Sequence, residues 1–106
     1  VHMETYMPKV IFSISYPIIE EKREEYLETV RELKNYLTNE RGKNYSVFES
    51  KTRPNTFVEV YYCDSLEEYD ALEDDADEIT EQLINRIVDE FIKDGKTEYK
   101  TLIEAL

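Results

Sequence analysis

The sequence has no tryptophan, one histidine (His2), one cysteine (Cys63) and two glycines. A single cysteine cannot form an intramolecular disulfide, whereas small secreted domains usually need several, so we expect a cytoplasmic protein. Gly42 and Gly95 are too few and too far apart to form a glycine-rich phosphate loop. Without an internal histidine, no Ser-His or Cys-His nucleophile pair can be assembled. These absences exclude nucleotide chemistry and triad hydrolysis.

We interpret Val1, His2 and Met3 as a cloning remnant, with the natural start at Met3 or Met7. On that interpretation the native chain has no imidazole, which removes most histidine-based acid-base, metal and haem chemistry. No apolar run reaches the roughly 18 to 20 residues of a membrane span, and the N-terminus lacks the pattern of a signal peptide. We therefore expect no metal, no cofactor and no membrane association.

The charge is strongly of one sign. Thirteen Lys and Arg residues face 25 Asp and Glu residues, which gives a formal net charge of −12. Nucleic acid and anionic membranes are excluded as partners because such a surface repels phosphate. Apolar residues make up 41% of the chain, including nine Tyr and four Phe, which is enough for a hydrophobic core. A chain of 106 residues is predicted to form one domain over 1–106.

Hydrophobic spacing predicts four strands and two helices. β-Branched and aromatic runs, or alternation, predict strands at 9–16, 45–52, 56–63 and 97–106. Spacings of three and four predict a helix from Glu20 to about Asn39 and a second from the N-cap Ser65 to about Lys93. Glu68 completes a capping box with Ser65. In the order β-α-β-β-α-β, right-handed crossovers place both helices on one face of a four-stranded antiparallel sheet, which is the ferredoxin-like α+β fold.

The alternation assigns residues to the two faces of this sheet. The helix-covered face is assigned Val10, Phe12, Ile14, Tyr16, Val58, Val60 and Tyr62. The opposite face is assigned Ile11, Phe57, Tyr61, Cys63 and Leu102. Since that opposite face is too apolar to remain in water, we predict a homodimer formed through the sheet faces.

Three stretches carry a resemblance to a known superfamily. They are Ser15-Tyr16-Pro17 at the end of the first strand, the turn Arg53-Pro54-Asn55, and residues 63–69 leading from the third strand into the second helix. Over nearly its whole length the chain resembles the dimeric α+β barrel superfamily. The resemblance implies ferredoxin-like protomers packed sheet against sheet, as in antibiotic-biosynthesis monooxygenases, haem-degrading oxygenases, small isomerases and stress-responsive proteins. The monooxygenase and haem-degrading branches use an Asn, Trp and His set that this chain lacks, so those activities are not carried over.

Tyrosines on the strands are the candidate ligand contacts. Tyr16, Tyr45, Tyr61, Tyr62 and Tyr99 could line a cavity between sheet and helices, and the candidate ligand-binding residues are Tyr16, Tyr62 and Glu59. The first hypothesis is that the protein binds a small apolar or aromatic metabolite. The alternative is a cofactorless isomerase or oxygenase that uses one of these three residues as a polar anchor. A third is a regulatory amino-acid-binding module, which normally has a glycine-containing turn where this chain has Pro17-Ile18-Ile19.

The other carboxylates and the cysteine are expected to have structural and not catalytic roles. The carboxylates of 73–78 lack the spacing of a calcium loop and are interpreted as a solvated, kinked helix face. Glu49 and Glu59 are expected near the dimer-facing side, in salt bridges with Lys51, Arg53 or Lys100. Cys63 is expected to be a quiet thiol, because the acidic residues that follow it disfavour a thiolate.

The second half of the second helix carries an unusually broad apolar face. It consists of Leu83, Ile84, Ile87, Val88, Phe91 and Ile92. We expect the first helix to cover most of this face and the C-terminal tail of a partner protomer to cover the remainder.

Overall fold

The structure is a computed structural model that describes residues 7–75 and 77–106. The interpreted remnant at 1–3, with His2, lies outside the described residues. The strands are β1 (Val10–Pro17), β2 (Asn44–Glu49), β3 (Thr56–Cys63) and β4 (Glu98–Ile103). The α-helices are α1 (Arg23–Asn39), α2 (Leu66–Asp74) and α3 (Glu78–Arg86), and α3 continues into a π-helical segment at Ile87–Phe91. Short 3₁₀ turns lie at Glu20–Lys22 and Lys93–Gly95.

The four strands form one antiparallel sheet in the order β2-β3-β1-β4. The main core lies between one face of this sheet and the helices, where Tyr16 and Phe57 of the strands cluster with Leu33 of α1 and Phe91 of the π segment. The predicted ferredoxin-like fold is confirmed. No helix in the described ranges is long and apolar enough to cross a bilayer.

The strand register corrects one of the predicted faces. Tyr16 pairs with Phe57, and Ile14 pairs with Glu59. Directly opposed residues share a face of a sheet, so these β3 residues lie on the helix-covered side with Tyr16. The assignment of Val10, Phe12, Ile14 and Tyr16 is confirmed by this register.

The assignment of β3 was wrong by one residue. Phe57, Tyr61 and Cys63 share the helix-covered side with Glu59, and Val58, Val60 and Tyr62 share the opposite, open face. The pattern was misleading because β3 is apolar on both sides, so its sequence shows no alternation that would fix the faces. The open face remains apolar after the correction. It carries Ile11, Val58, Val60, Tyr62 and Leu102.

The predicted second helix is interrupted within the carboxylate cluster. α2 ends at Asp74 and α3 begins at Glu78. Asp77 caps α3, since its carboxylate accepts a hydrogen bond from the backbone N–H of Thr80 at 2.9 Å. Arg41 fixes the break through its side-chain contacts with Asp75, at 2.6 Å, and Asp77, at 3.1 Å. The interpreted kink is present as this break, whereas the prediction of one helix from Ser65 to about Lys93 was wrong. Two of the carboxylates are paired with Arg41 from the loop after α1 and are not simply solvated.

The Ser65 cap and its capping box agree closely with the prediction. Ser65 Oγ accepts from the backbone N–H of Glu68 at 3.1 Å. The Glu68 carboxylate accepts from the backbone N–H of Asp64, one residue before the cap, at 2.8 Å. The side chain thus satisfies a backbone donor at the start of α2, as a capping box does.

The broad apolar face of the π segment packs on α1, as predicted. Ile87 and Phe91 are buried, and the ring centroids of Phe91 and Tyr26 of α1 are 6.0 Å apart. Ile84 and Val88 remain exposed. That a partner's tail covers these two residues stays a prediction.

Candidate functional site

The middle of the helix-covered face contains a buried carboxylate. Glu59 of β3 is 5% exposed, and the Tyr45 hydroxyl donates a hydrogen bond to its Oε1 at 2.6 Å. Tyr45 comes from the neighbouring strand β2, where it pairs with Tyr61. The alternation of two adjacent strands therefore brings this phenol and this carboxylate to the same side of the sheet.

Three further tyrosines enclose the Glu59–Tyr45 pair. The hydroxyls of Tyr16 and Tyr26 are 2.7 Å apart, and the Tyr16 hydroxyl is close enough to Glu59 to lower the pKa of that carboxyl. The rings of Tyr45 and Tyr61 have centroids 4.9 Å apart. We call Glu59 with Tyr16, Tyr26, Tyr45 and Tyr61 the tyrosine cluster.

Burial controls the protonation of this cluster. Loss of water raises the pKa of Glu59, and hydrogen bonds from Tyr45 and Tyr16 oppose that rise without cancelling it. The pKa values of Tyr16 and Tyr45 are raised, first by burial and then by the nearby Glu59 charge, so both phenols stay protonated and can donate. Among the described residues, no Lys or Arg side chain forms a salt bridge with Glu59. The carboxylate is therefore buried without a cation.

A small cavity of about 60 Å³ opens beside Glu59. Glu59 and Tyr16 lie at its inner end, and Val88 and Tyr99, which are 52% and 67% exposed, lie toward solvent. The remaining walls are Ile14, Ile84, Ile87, Ile92 and Thr97. We call this space the Glu59 cavity. Its walls are mostly apolar, while its inner end can form hydrogen bonds.

A second cavity of about 160 Å³ shares the walls Ile14 and Ile84 with the first. Its other apolar walls are Phe12, Leu37, Tyr61 and Leu72. Arg41, Lys43 and Asp75 also line it, and both cations contact the Asp75 carboxylate. We call this space the Phe12 cavity.

The three candidate ligand contacts lie on different faces of the sheet. Tyr16 and Glu59 come together at the Glu59 cavity, whereas Tyr62 lies on the open face and takes no part in it. Tyr45 and Tyr61 are buried on the helix-covered side, and Tyr99 is at the cavity mouth.

Tyr26 was not among the predicted ligand contacts, because it lies on α1 and those contacts were predicted from tyrosines on strands. Its position in the apolar stripe with Val30 and Leu33 was the available signal. Cys63 is buried, and its pKa is raised first by burial and then by Glu68. This agrees with the predicted quiet thiol.

Glu49 has entirely different surroundings at the end of β2. Arg23 of α1 holds it with two contacts, Nη1–Oε2 at 2.5 Å and Nη2–Oε1 at 2.7 Å, and the backbone N–H of Asn55 donates at 3.0 Å. The Arg23 hydrogen bonds are the main cause that lowers the pKa of Glu49 to about 2. The expected partners Lys51, Arg53 and Lys100 were wrong for Glu49. The salt-bridge expectation was also wrong for Glu59, which is bonded to tyrosine.

No family model and no curated protein matches the chain. Solved structures do. A conserved protein from Methanosarcina mazei Go1 has a TM-score of 0.77 at 14% identity, with 93% of this chain and 95% of that chain covered. A candidate antibiotic biosynthesis monooxygenase from Caulobacter crescentus has a TM-score of 0.74 at 14% identity, covering 95% and 92%. A NIPSNAP family protein from Agrobacterium tumefaciens has a TM-score of 0.69 at 18% identity, covering 99% and 92%.

These likenesses define the fold class. The chain has the ferredoxin-like α+β fold that antibiotic biosynthesis monooxygenase-like and NIPSNAP proteins share. The resemblance stated from the sequence is confirmed at the level of the fold. Identities between 14% and 18% in these three comparisons carry no activity across.

Proposed function

We propose that the protein binds a small apolar or aromatic metabolite in the Glu59 and Phe12 cavities. The observation that carries this proposal is a buried carboxylate, hydrogen-bonded by tyrosine, at the inner end of a space with apolar walls. Small-molecule sites commonly combine apolar walls with a few fixed polar groups. The walls supply affinity, and Glu59 and Tyr16 orient the ligand.

The mouth of the Glu59 cavity supports the same proposal. Ile84, Val88 and Tyr99 expose apolar surface next to one another around the opening. Contiguous exposed apolar groups often mark a binding groove or an interface. A bound molecule that extends out of the cavity would remove part of this surface from water.

Displacing the ligand with a charge at the mouth tests the proposal. The neutral fluorescent probe N-phenyl-1-naphthylamine should bind the wild-type protein and brighten. Val88→Arg should weaken that binding at least about fivefold, because a guanidinium would occupy the apolar opening, and the exposure of Val88 allows the variant to fold. The matched control is Asp89→Arg at the exposed neighbouring position. Equal weakening by the two variants, or no binding by the wild type, contradicts the proposal.

We also propose that the open face forms a homodimer. Ile11 and Leu102 expose apolar area there, and a sheet face can pair with its own copy around a two-fold axis. Light scattering should give twice the chain mass of 12.7 kDa. Leu102→Asp should shift the mass toward 12.7 kDa, whereas Thr101→Asp, on the other side of β4, should not. A wild-type mass near 12.7 kDa at micromolar concentration overturns the dimer.

A cofactorless isomerase remains the second candidate function, and one observation favours it. Glu59 is a carboxylate with a raised pKa in an apolar cavity, which is the environment of a general base for carbon acids. Glu59 would accept a proton from a carbon next to a carbonyl and return it to another carbon. Proton NMR in D₂O should then show exchange of phenylacetone α-protons, lost in Glu59→Gln. Exchange at the uncatalysed rate contradicts this candidate.

The single-domain organisation over 1–106 and the cytoplasmic location are part of the proposal. The location is supported by the single cysteine, Cys63, because small secreted domains usually contain disulfides.

A further inference from the structure

We propose that the ligand of the Glu59 cavity is an amine, with a monocationic ammonium head against Glu59 and a small apolar or aromatic body. This inference rests on the proposed binding function and names its ligand class. The structural ground is a buried carboxylate that faces a cavity and has no cationic partner among the described residues.

The first step concerns the charge of Glu59. Burial of an ionised carboxylate is costly unless a cation and hydrogen bonds compensate for it. Tyr45 supplies a hydrogen bond, but no described Lys or Arg forms a salt bridge with the group. The side of Glu59 that opens on the cavity is therefore where an ammonium would supply the compensating positive charge.

The aromatic surroundings fit the same kind of ligand. Tyr16 lies beside Glu59 at the inner end of the cavity, and Tyr99 lies at its mouth. Phenol rings attract cations over their faces, and phenol oxygens accept hydrogen bonds from ammonium groups. A cation can thus meet a tyrosine at the mouth of the cavity and another at its inner end.

The charged residues around the two cavities argue against an anionic ligand. None of the described residues that line the Glu59 cavity is a Lys or Arg. In the Phe12 cavity, Arg41 and Lys43 are both engaged by Asp75. The formal charge of −12 attracts cations and repels anions over longer distances. Among the residues described in the structure, neither cavity offers a carboxylate or phosphate ligand a Lys or Arg that is not already paired.

The sizes of the two cavities suit the head and the body of such a ligand. The Glu59 cavity, at about 60 Å³, has room for a few water-sized groups, which suits an ammonium and the first carbons attached to it. The Phe12 cavity, at about 160 Å³, shares Ile14 and Ile84 with it and has further apolar walls for the body. The ammonium would lie in the Glu59 cavity, and the body would lie against Ile84, which lines both cavities.

Calorimetric titration with three probes of matched shape tests the ligand class. The probes are 2-phenylethylamine, 2-phenylethanol and 3-phenylpropionate, which carry positive, neutral and negative heads on similar bodies. The wild type should bind the amine at least about tenfold more tightly than the alcohol, and the acid most weakly, because an ammonium–carboxylate contact in a dry site is a strong charge-assisted hydrogen bond. Glu59→Gln should reduce amine affinity to the level of the alcohol and leave alcohol affinity within about twofold.

Glu49→Gln is the matched control, since it removes the same charge from the exposed end of β2 and should leave amine affinity unchanged. If the alcohol binds as tightly as the amine, the amine proposal is wrong while metabolite binding stands. If Glu49→Gln and Glu59→Gln weaken the amine equally, long-range charge is responsible and the amine proposal is wrong. If none of the probes binds while N-phenyl-1-naphthylamine does, the amine class is again wrong, and failure of all four probes overturns both proposals.

Discussion

Glu49 and Glu59 lie on adjacent strands and on the same side of the sheet, yet their surroundings are opposite. Glu49 pairs with Phe57 at the end of β2, within reach of Arg23 and water. Glu59 lies in the middle of β3 under the helices, where it contacts tyrosines and no described cation. The Arg23 contacts lower the pKa of Glu49 to about 2, whereas burial raises the pKa of Glu59. The position relative to the helices, not the residue type, decides which group can serve a ligand.

The two pKa values differ because the two carboxylates have different hydration and different hydrogen-bond partners. At the exposed end of β2, an ionised carboxylate keeps part of its hydration and gains a bidentate guanidinium. In the tyrosine cluster, hydration is lost and the hydrogen bond from Tyr45 replaces part of it. The first arrangement is complete in itself, and the second is incomplete without a proton or a ligand.

The largest expected effect tests how tightly the buried side is packed. Phe91→Ala should lower the free energy of unfolding by about 3 to 5 kcal/mol, because Phe91 is fully buried against Tyr26. Leu66→Ala, at a position that is 42% exposed, should cost about 2 kcal/mol or less. Denaturant melts at equal protomer concentration provide the measurement. The packing account fails if Leu66→Ala is the more damaging variant.

Removing the buried charge should stabilise the protein at neutral pH. The folded-state pKa of Glu59 is raised, so the folded state binds more protons than the unfolded state, and stability falls as pH rises from about 4.5 through the folded pKa. Glu59→Gln removes this loss and should gain about 1 to 3 kcal/mol at pH 7, the usual range for desolvating a polar group. Urea melts from pH 4 to pH 8 should show a gap between variant and wild type that opens with pH. A gap that stays constant would contradict the assigned cause.

The hydrogen bond from Tyr45 should stabilise the cluster measurably. Tyr45→Phe leaves the ring packing in place and removes the donor to Glu59, so we expect a loss of about 1 to 1.5 kcal/mol. Tyr99→Phe is the matched control, because that hydroxyl is on a residue 67% exposed. If the two variants lose equal stability in thermal melts, the hydrogen bond from Tyr45 to Glu59 does not stabilise the protein.

The smallest effect is expected at the exposed end of β2. Glu49→Gln should lower the free energy of unfolding at pH 7 by at most about 1 kcal/mol, because solvent screens a pair of which both members are about a third exposed. Since the folded-state pKa of Glu49 is lowered to about 2, its contribution is present above about 4.5 and is lost as pH falls toward 2. Urea melts of wild type and variant should therefore converge as the pH falls through this window. A gap that grows instead would contradict the assigned sign.

Much of the fold was predictable because the strands and helix starts depend on residue types that are close together in the sequence. The aromatic and β-branched run of β3 gave its observed bounds, Thr56–Cys63, and Ser65 with Glu68 marked the start of α2. The carboxylates of 73–78 suggested a kink, but a full break before α3 was not predictable, because Arg41, more than 30 positions away in the chain, fixes Asp75. A contact of that kind leaves no periodic signal in the helix itself.

The site was half predictable. Tyr16 and Glu59 were predicted as ligand contacts, but Glu59 was expected near the dimer-facing side of the sheet. In β3, Val58 and Val60 lie on one face of the sheet, and Phe57 and Tyr61 lie with Glu59 on the other. Because both faces of the strand are apolar, the alternation could not show which one the helices cover. The pairing of Ile14 with Glu59 decides it, and pairing is a long-range property.

Carbon-13 NMR titration of the glutamate side-chain carboxyl groups tests the central contrast most directly. With Glu49→Gln and Glu59→Gln used to assign the two resonances, Glu59 should titrate above the ordinary glutamate value of 4.5 and Glu49 near 2. Both measurements are made on the protein without ligand, so they do not depend on what the cavity binds. Titration of Glu59 at or below 4.5 would contradict the account of a buried carboxylate without a cation.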